Sequence, residues 1–113
     1  MPHINLKTNI EVNGDTIREL NKIFGKDIEI IPGKTERWLM TSIMDKVPMC
    51  FGGNDTPCAL AEVSLFGSTS SDVYKNLTSE LCRDISTLLN IPQDRIYIKY
   101  VEISEWGWNG SNF

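Results

Sequence analysis

Apolar residues along this chain follow two periods, one of two and one of three to four, and the two alternate in the same order twice. From Pro2, Ile4 and Leu6 alternate with Asn5 and Lys7, the period of a strand with one buried face, over about residues 2–9. Ile17, Leu20, Phe24, Ile28 and Ile31 then recur at steps of three and four, which predicts a helix over about residues 15–31. Asp15 is the expected N-cap, and Pro32-Gly33 should end the helix. A strand over about residues 37–44 completes the first half. The second half repeats the plan: a strand over about 58–66, a helix over about 71–89 and a strand over about 95–103. Val73, Leu77, Leu81, Ile85 and Leu88 form the stripe of that helix. Ser70 or Ser71 can cap it, and Asn90 followed by Pro92 stops it. In the last strand Ile96, Ile98 and Tyr100 share one side, with Tyr97, Lys99 and Val101 on the other. The stretch between the halves, DKVPMCFGGNDTP, is rich in turn residues.

A strand-helix-strand unit with helices of this length favours a parallel strand pair. Two such units predict an α+β (α/β) fold: a four-stranded sheet with both helices on one face, in a single domain spanning residues 1–113. Two helices cannot cover both faces. The remaining face carries Ile, Val and Tyr beside Asn, Lys and Ser, too apolar a mixture to stay wholly wet. Burial against further copies of the chain is the economical solution, so an oligomer is expected.

Composition narrows the function more than the fold. The net charge of −4 argues against nucleic acid, which calls for a basic patch. No run of 18 apolar residues is present, so no membrane partner is expected. The N-terminus enters strand alternation directly, without the pattern of a signal peptide; the expected location is the cytosol. Three cysteines, Cys50, Cys58 and Cys82, and one histidine, His3, assemble neither a disulfide framework nor a metal-ligand spacing. No metal or cofactor is expected. GKT at Gly33–Thr35 lacks the phosphate-binding loop's first glycine, because Ile28 occupies that position.

The second residue is the oddity. A proline cannot donate to a strand ladder and is tolerated at a strand's first residue, so Pro2 can be a plain strand start. Methionine is also commonly excised ahead of a small side chain, and excision here would leave Pro2 with a free secondary amine. Taken together, the N-terminal MP, the central GK…FGG…PCAL and the C-terminal DRIYI…WGWNGSNF resemble the macrophage migration inhibitory factor family of the tautomerase superfamily. The resemblance covers essentially the whole chain. It implies a homotrimer with three active sites at subunit boundaries, and Pro2 as the catalytic base for keto–enol tautomerisation of phenylpyruvate-like acids.

The chemistry agrees with that implication. Moving a proton from the carbon beside a ketone to its oxygen needs a base that is neutral near pH 7. An ordinary α-amine titrates at roughly 7.7–8.0, and burial together with a nearby cation lowers that value. By the same resemblance Lys34, in PGKTE, clamps the substrate carboxylate; the alternative is a solvated loop lysine. Phe66 falls where the family uses a main-chain amide to contact substrate. Leu65-Phe66-Gly67 replaces the more usual Ser-Ile-Gly, so a narrower pocket is expected. Tyr97 matches a tyrosine brought in from the neighbouring subunit, or is a plain interface residue. Lys99 stands where many members carry a substrate-binding asparagine; it either meets a carboxylate or points into a central channel. Trp38, Trp108 and Phe113 resemble the pocket's aromatic rim, and Trp106 falls where the family varies. Cys58 begins CALA, where some relatives have Cys-x-x-Cys; Ala61 removes the second thiol.

Two functions are therefore in view. One is an enzyme, a cofactor-free isomerase of the phenylpyruvate tautomerase or dopachrome isomerase type acting on a small aromatic 2-keto acid. The other is a cytokine-like interaction protein that leaves the cell without a signal peptide and meets a protein receptor, its pocket being incidental.

Overall fold

The alternating segment at the start of the chain forms β1, Pro2–Thr8, with Pro2, Ile4, Leu6 and Thr8 buried and the residues between them half-buried. A computed structural model describes residues 1–113. Helix α1, Gly14–Asp27, and the strand β2, Met40–Met44, follow; then come β3, Ala59–Phe66, helix α2, Ser71–Leu89, and β4, Ile96–Ile103. The sheet order is β2-β1-β3-β4. β1 pairs in parallel with β2 and β3 in parallel with β4, while β1 and β3 run antiparallel. Each strand-helix-strand unit thus yields its parallel pair, and the two units meet at the central β1–β3 seam.

Both helices lie on one face. Ile4 and Leu6 of β1, Ala61, Val63 and Leu65 of β3, Leu20, Phe24 and Ile28 below one helix and Leu77, Leu81 and Ile85 below the other are all completely buried. A fully buried aliphatic side chain of this kind contributes about 1.5–3 kcal/mol relative to an exposed one. The helix-free face is mixed. His3 Nε2 lies 2.8 Å from Ser42 Oγ, Ser42 Oγ donates to Asn5 Oδ1 at 2.9 Å, and Lys99 pairs with Glu62 at 2.9 Å. Around these polar groups Met40, Met44 and Tyr97 stand exposed.

Several boundaries differ from the sequence expectation. Helix α1 ends at Asp27, and Ile28–Ile30 tighten into a 3₁₀ turn that keeps Ile28 buried. The apolar spacing runs on through Ile31 because the tightened turn still faces the core. Asn13, not Asp15, caps α1: its side chain accepts from Thr16 N. Asp15 sits in the first turn instead, bonded to Arg18. Glu36–Trp38 form a second 3₁₀ turn, which places Trp38 ahead of β2 rather than within it. Helix α2 matches its expected span, capped by Ser70, with Asn90 in the left-handed region at φ 55°. Replacing Asn13 by Ala should therefore cost about 1 kcal/mol in denaturant unfolding, and Asp15 by Ala less than about 0.5 kcal/mol.

Candidate active site

The head of β1 is a meeting point of four separate segments. Pro2 pairs with Leu65 of β3, and Phe66 N donates to Met1 O at 3.0 Å. The chain after Ile31 turns through Gly33, at φ 82°, with Lys34 N donating to Ile31 O at 3.1 Å. That turn carries the half-buried Lys34 to the same place, where its Nζ donates to Phe66 O at 3.1 Å. The α-amine next to Pro2, on Met1, is lowered from 8.0 to about 6, first by burial and then by the positive charge and hydrogen bond of Lys34. Both causes disfavour the charged form of an amine.

The remaining walls are aromatic. A cleft of about 400 Å³ is lined by Pro2, Arg37, Trp38, Met40, Trp106 and Trp108. All three tryptophans of the chain therefore sit in one place. Trp38 and Trp108 meet edge to face at 5.0 Å, Trp108 stacks on Phe113 at 6.2 Å, and Phe113 contacts Phe66 at 5.9 Å. Trp108 is presented by a short hairpin, β5, Gly107–Trp108, with β6, Ser111–Asn112. Its two-residue turn has both Asn109, at φ 52°, and Gly110, at φ 85°, in the left-handed region, the geometry for which Asn-Gly is favoured. Phe113 N donates to Trp106 O at 3.0 Å and ties the chain end to the hairpin.

Pro2, Lys34, Phe66, Trp38, Trp108 and Phe113 are thus brought together. Trp106, which falls where the family varies, joins the cleft, and so does Arg37. Arg37, whose guanidinium lies 5.3 Å from the Trp38 ring centroid, carried no motif. Asn109-Gly110 was the available signal for the hairpin.

Tyr97 and Lys99 do not reach this cleft within one chain. Tyr97 pairs with Leu60, five residues along β3 from the partner of Pro2, a separation of roughly 17 Å along the strand. Its ring packs on Phe51 at 4.6 Å and lines a second cleft of about 360 Å³ with Met49, Cys50, Cys58 and Leu60. Arg95 builds that corner by donating to the carbonyls of Phe51 and Thr56, each at 2.8 Å. Lys99 lies on the helix-free face, where it bonds Glu62 and holds that carboxyl below its ordinary range. Cys58 is buried and unpaired.

This arrangement gathers an amine of lowered basicity on Met1, the Lys34 cation and an aromatic wall in which Trp108 and Phe113 are half exposed. A profile of the macrophage migration inhibitory factor (MIF) family matches residues 1–113. The chain belongs to the MIF family. The macrophage migration inhibitory factor of Xenopus laevis is 30% identical over 118 residues, covering 100% of this chain and 99% of its own. Leishmania major MIF2 superposes with a TM-score of 0.94 at 29% identity, over 100% of this chain and 97% of that one. A MIF homologue from Prochlorococcus marinus gives a TM-score of 0.81 at 34% identity, over 98% of each chain. The fold is that of the tautomerase superfamily. The MIF family includes tautomerase activity and cytokine roles, and its fold is known for oligomers.

Because the tryptophans report only on this cleft, loosening the hairpin should be visible in fluorescence. Gly110→Ala places a side chain at φ 85° and should cost about 1 kcal/mol locally. A red-shifted emission is expected, with the unfolding midpoint of the sheet and helices little changed.

Proposed function

We propose that the mature protein is a cofactor-free keto–enol tautomerase acting on phenylpyruvate-like 2-keto acids, with Pro2 as its general base once Met1 is removed. The observation that carries this reading is the convergence on one amine: burial and Lys34 lower the α-amine of Met1 to about 6, and a Pro2 amine formed one residue along meets the same two influences. With Met1 attached, the nitrogen of Pro2 is an amide and has no basic lone pair. Removal of Met1 does two things at once. It turns Pro2 into the terminal amine, and it frees Phe66 N–H, which Met1 O otherwise occupies.

Each group then has a task. A carboxylate arriving at the site meets the Phe66 N–H and the Lys34 ammonium, which fix its orientation and compensate its charge. The neutral Pro2 nitrogen takes a proton from the carbon beside the keto group, and the enolate oxygen receives a proton in return. The net change is an isomerisation, and no oxidant or reductant is consumed. Trp38, Trp108 and Phe113 offer apolar faces to an aromatic substituent. The ring closure of proline aims the lone pair along one direction, which a flexible amine would not do.

Assembly is part of the proposal. The helix-free face, with exposed Met40, Met44 and Tyr97 around a polar centre, suits contact with further copies of the chain. In a homotrimer Tyr97 and Lys99 of one copy become candidates for the cleft of the next.

A glycine inserted ahead of Pro2 tests the enzyme reading directly. Turnover of phenylpyruvate should fall by about 10²–10⁴-fold, the usual contribution of a general base, while the circular dichroism spectrum is unchanged. Turnover that survives the insertion would refute the assignment. With the Pro2 amine depressed as the Met1 amine is, to about 6, kcat/KM should decline as pH falls through that value, since acid charges the base. Lys34→Ala should raise KM and move that decline to higher pH.

A further inference from the structure

Away from the cleft, Asp27 ends α1 with only 5% of its surface exposed, and its Oδ2 has no hydrogen-bond partner. It is the single buried side-chain atom left in that state. Two carboxylates of α2 come to meet it. Glu80 and Asp84, one helical turn apart, each place an oxygen so that the three ligand atoms lie within 4.8 Å of one another. Neither the core nor the proposed chemistry uses these residues.

The surroundings favour a positive occupant. A buried carboxyl crowded by two more is costly to ionise: burial, then Asp84 and Glu80, raise Asp27 to about 8, and a cation at this point competes with a proton held against Asp84. The C-terminal end of a helix adds partial negative charge, so Asp27 stands at the end of α1 that repels a carboxylate and attracts a cation. The side-chain cation bonded within the cluster is Arg83, which holds one oxygen of Glu80 on the exposed side and does not reach Asp27. Glu80 keeps a second oxygen for another partner.

We propose that Asp27, Glu80 and Asp84 form a binding site for one divalent cation that bridges α1 and α2, and that calcium is the ion it fits. All three ligands are carboxylates, the hard donors suited to calcium, magnesium or manganese rather than to zinc or copper. Calcium takes six to eight oxygens at about 2.3–2.6 Å in flexible geometry, whereas magnesium demands a near-ideal octahedron at about 2.0–2.1 Å. Three carboxylates fixed on two helices, their oxygens within 4.8 Å of one another, meet the looser requirement of calcium. Both ligand-bearing elements are helices, so the site is held on rigid backbone, and water completes the coordination shell.

The test uses the full chain, freed of metal by a chelator and titrated with calcium chloride alone. Calorimetry should show saturable binding of one ion per chain, and thermal unfolding should shift upward by several degrees in its presence. Asp27→Asn and Asp84→Asn, each verified to fold by circular dichroism, should weaken calcium binding at least tenfold and lose the thermal shift. Magnesium should bind at least tenfold more weakly than calcium. Absence of binding at millimolar calcium would overturn the proposal, as would unchanged binding in both variants. Equal affinity for magnesium would overturn the choice of calcium. Variants that are more stable than the parent, together with a parent that binds no calcium, would mean that a proton shared between Asp27 and Asp84 relieves the cluster instead.

Discussion

The contact on which the proposed chemistry depends is a single hydrogen bond, from the Lys34 ammonium to the carbonyl of Phe66. It fixes a positive charge beside the first residues of β1, in a place already short of water. Burial alone would lower the affinity of the terminal amine for a proton, and a cation held at that point lowers it further. In the proposed reaction the same cation would attract the carboxylate of a 2-keto acid, so that one interaction would serve both the base and the binding of its substrate.

The fold exists around that contact in a definite way. The antiparallel seam between β1 and β3 sets Pro2 against Leu65 and brings the Phe66 amide to the chain's start. The turn after α1 sends Lys34 across to it, and the C-terminal hairpin closes the side with Trp108 and Phe113. The core beneath is ordinary aliphatic packing between sheet and helices. It leaves the opposite face of the sheet as the surface where copies of the chain can meet.

Much of this was legible in the residues, for reasons specific to each element. Helix α2 was read correctly because Ser70 and Asn90 are strong boundary residues on either side of an unbroken stripe. Helix α1 was read too long because Ile28 and Ile31 keep helical spacing through a 3₁₀ turn, and spacing does not distinguish the two. Asn13 and Asp15 are both good caps, and only the backbone distinguishes them: Asn13 is extended while Asp15 is already helical. Two-residue strands carry no periodicity, so the hairpin was missed although Asn109-Gly110 marks its turn. Lys34 and Phe66 meet at the head of β1, and the signal that pointed to both positions was the family resemblance. Arg37 was not found, since its place in the cleft comes from the unforeseen turn at Glu36–Trp38. Tyr97 pairs with Leu60 and Lys99 with Glu62, away from the Leu65 that faces Pro2, so within one chain neither reaches the cleft.

The central claim concerns one nitrogen, and its titration can be followed by ¹⁵N nuclear magnetic resonance on protein whose mass shows Met1 removed. The account predicts that the Pro2 amine loses its proton near pH 6, and that Lys34→Ala shifts the midpoint upward. An amine still charged above pH 8, or a mass showing Met1 retained in the natural protein, would contradict it.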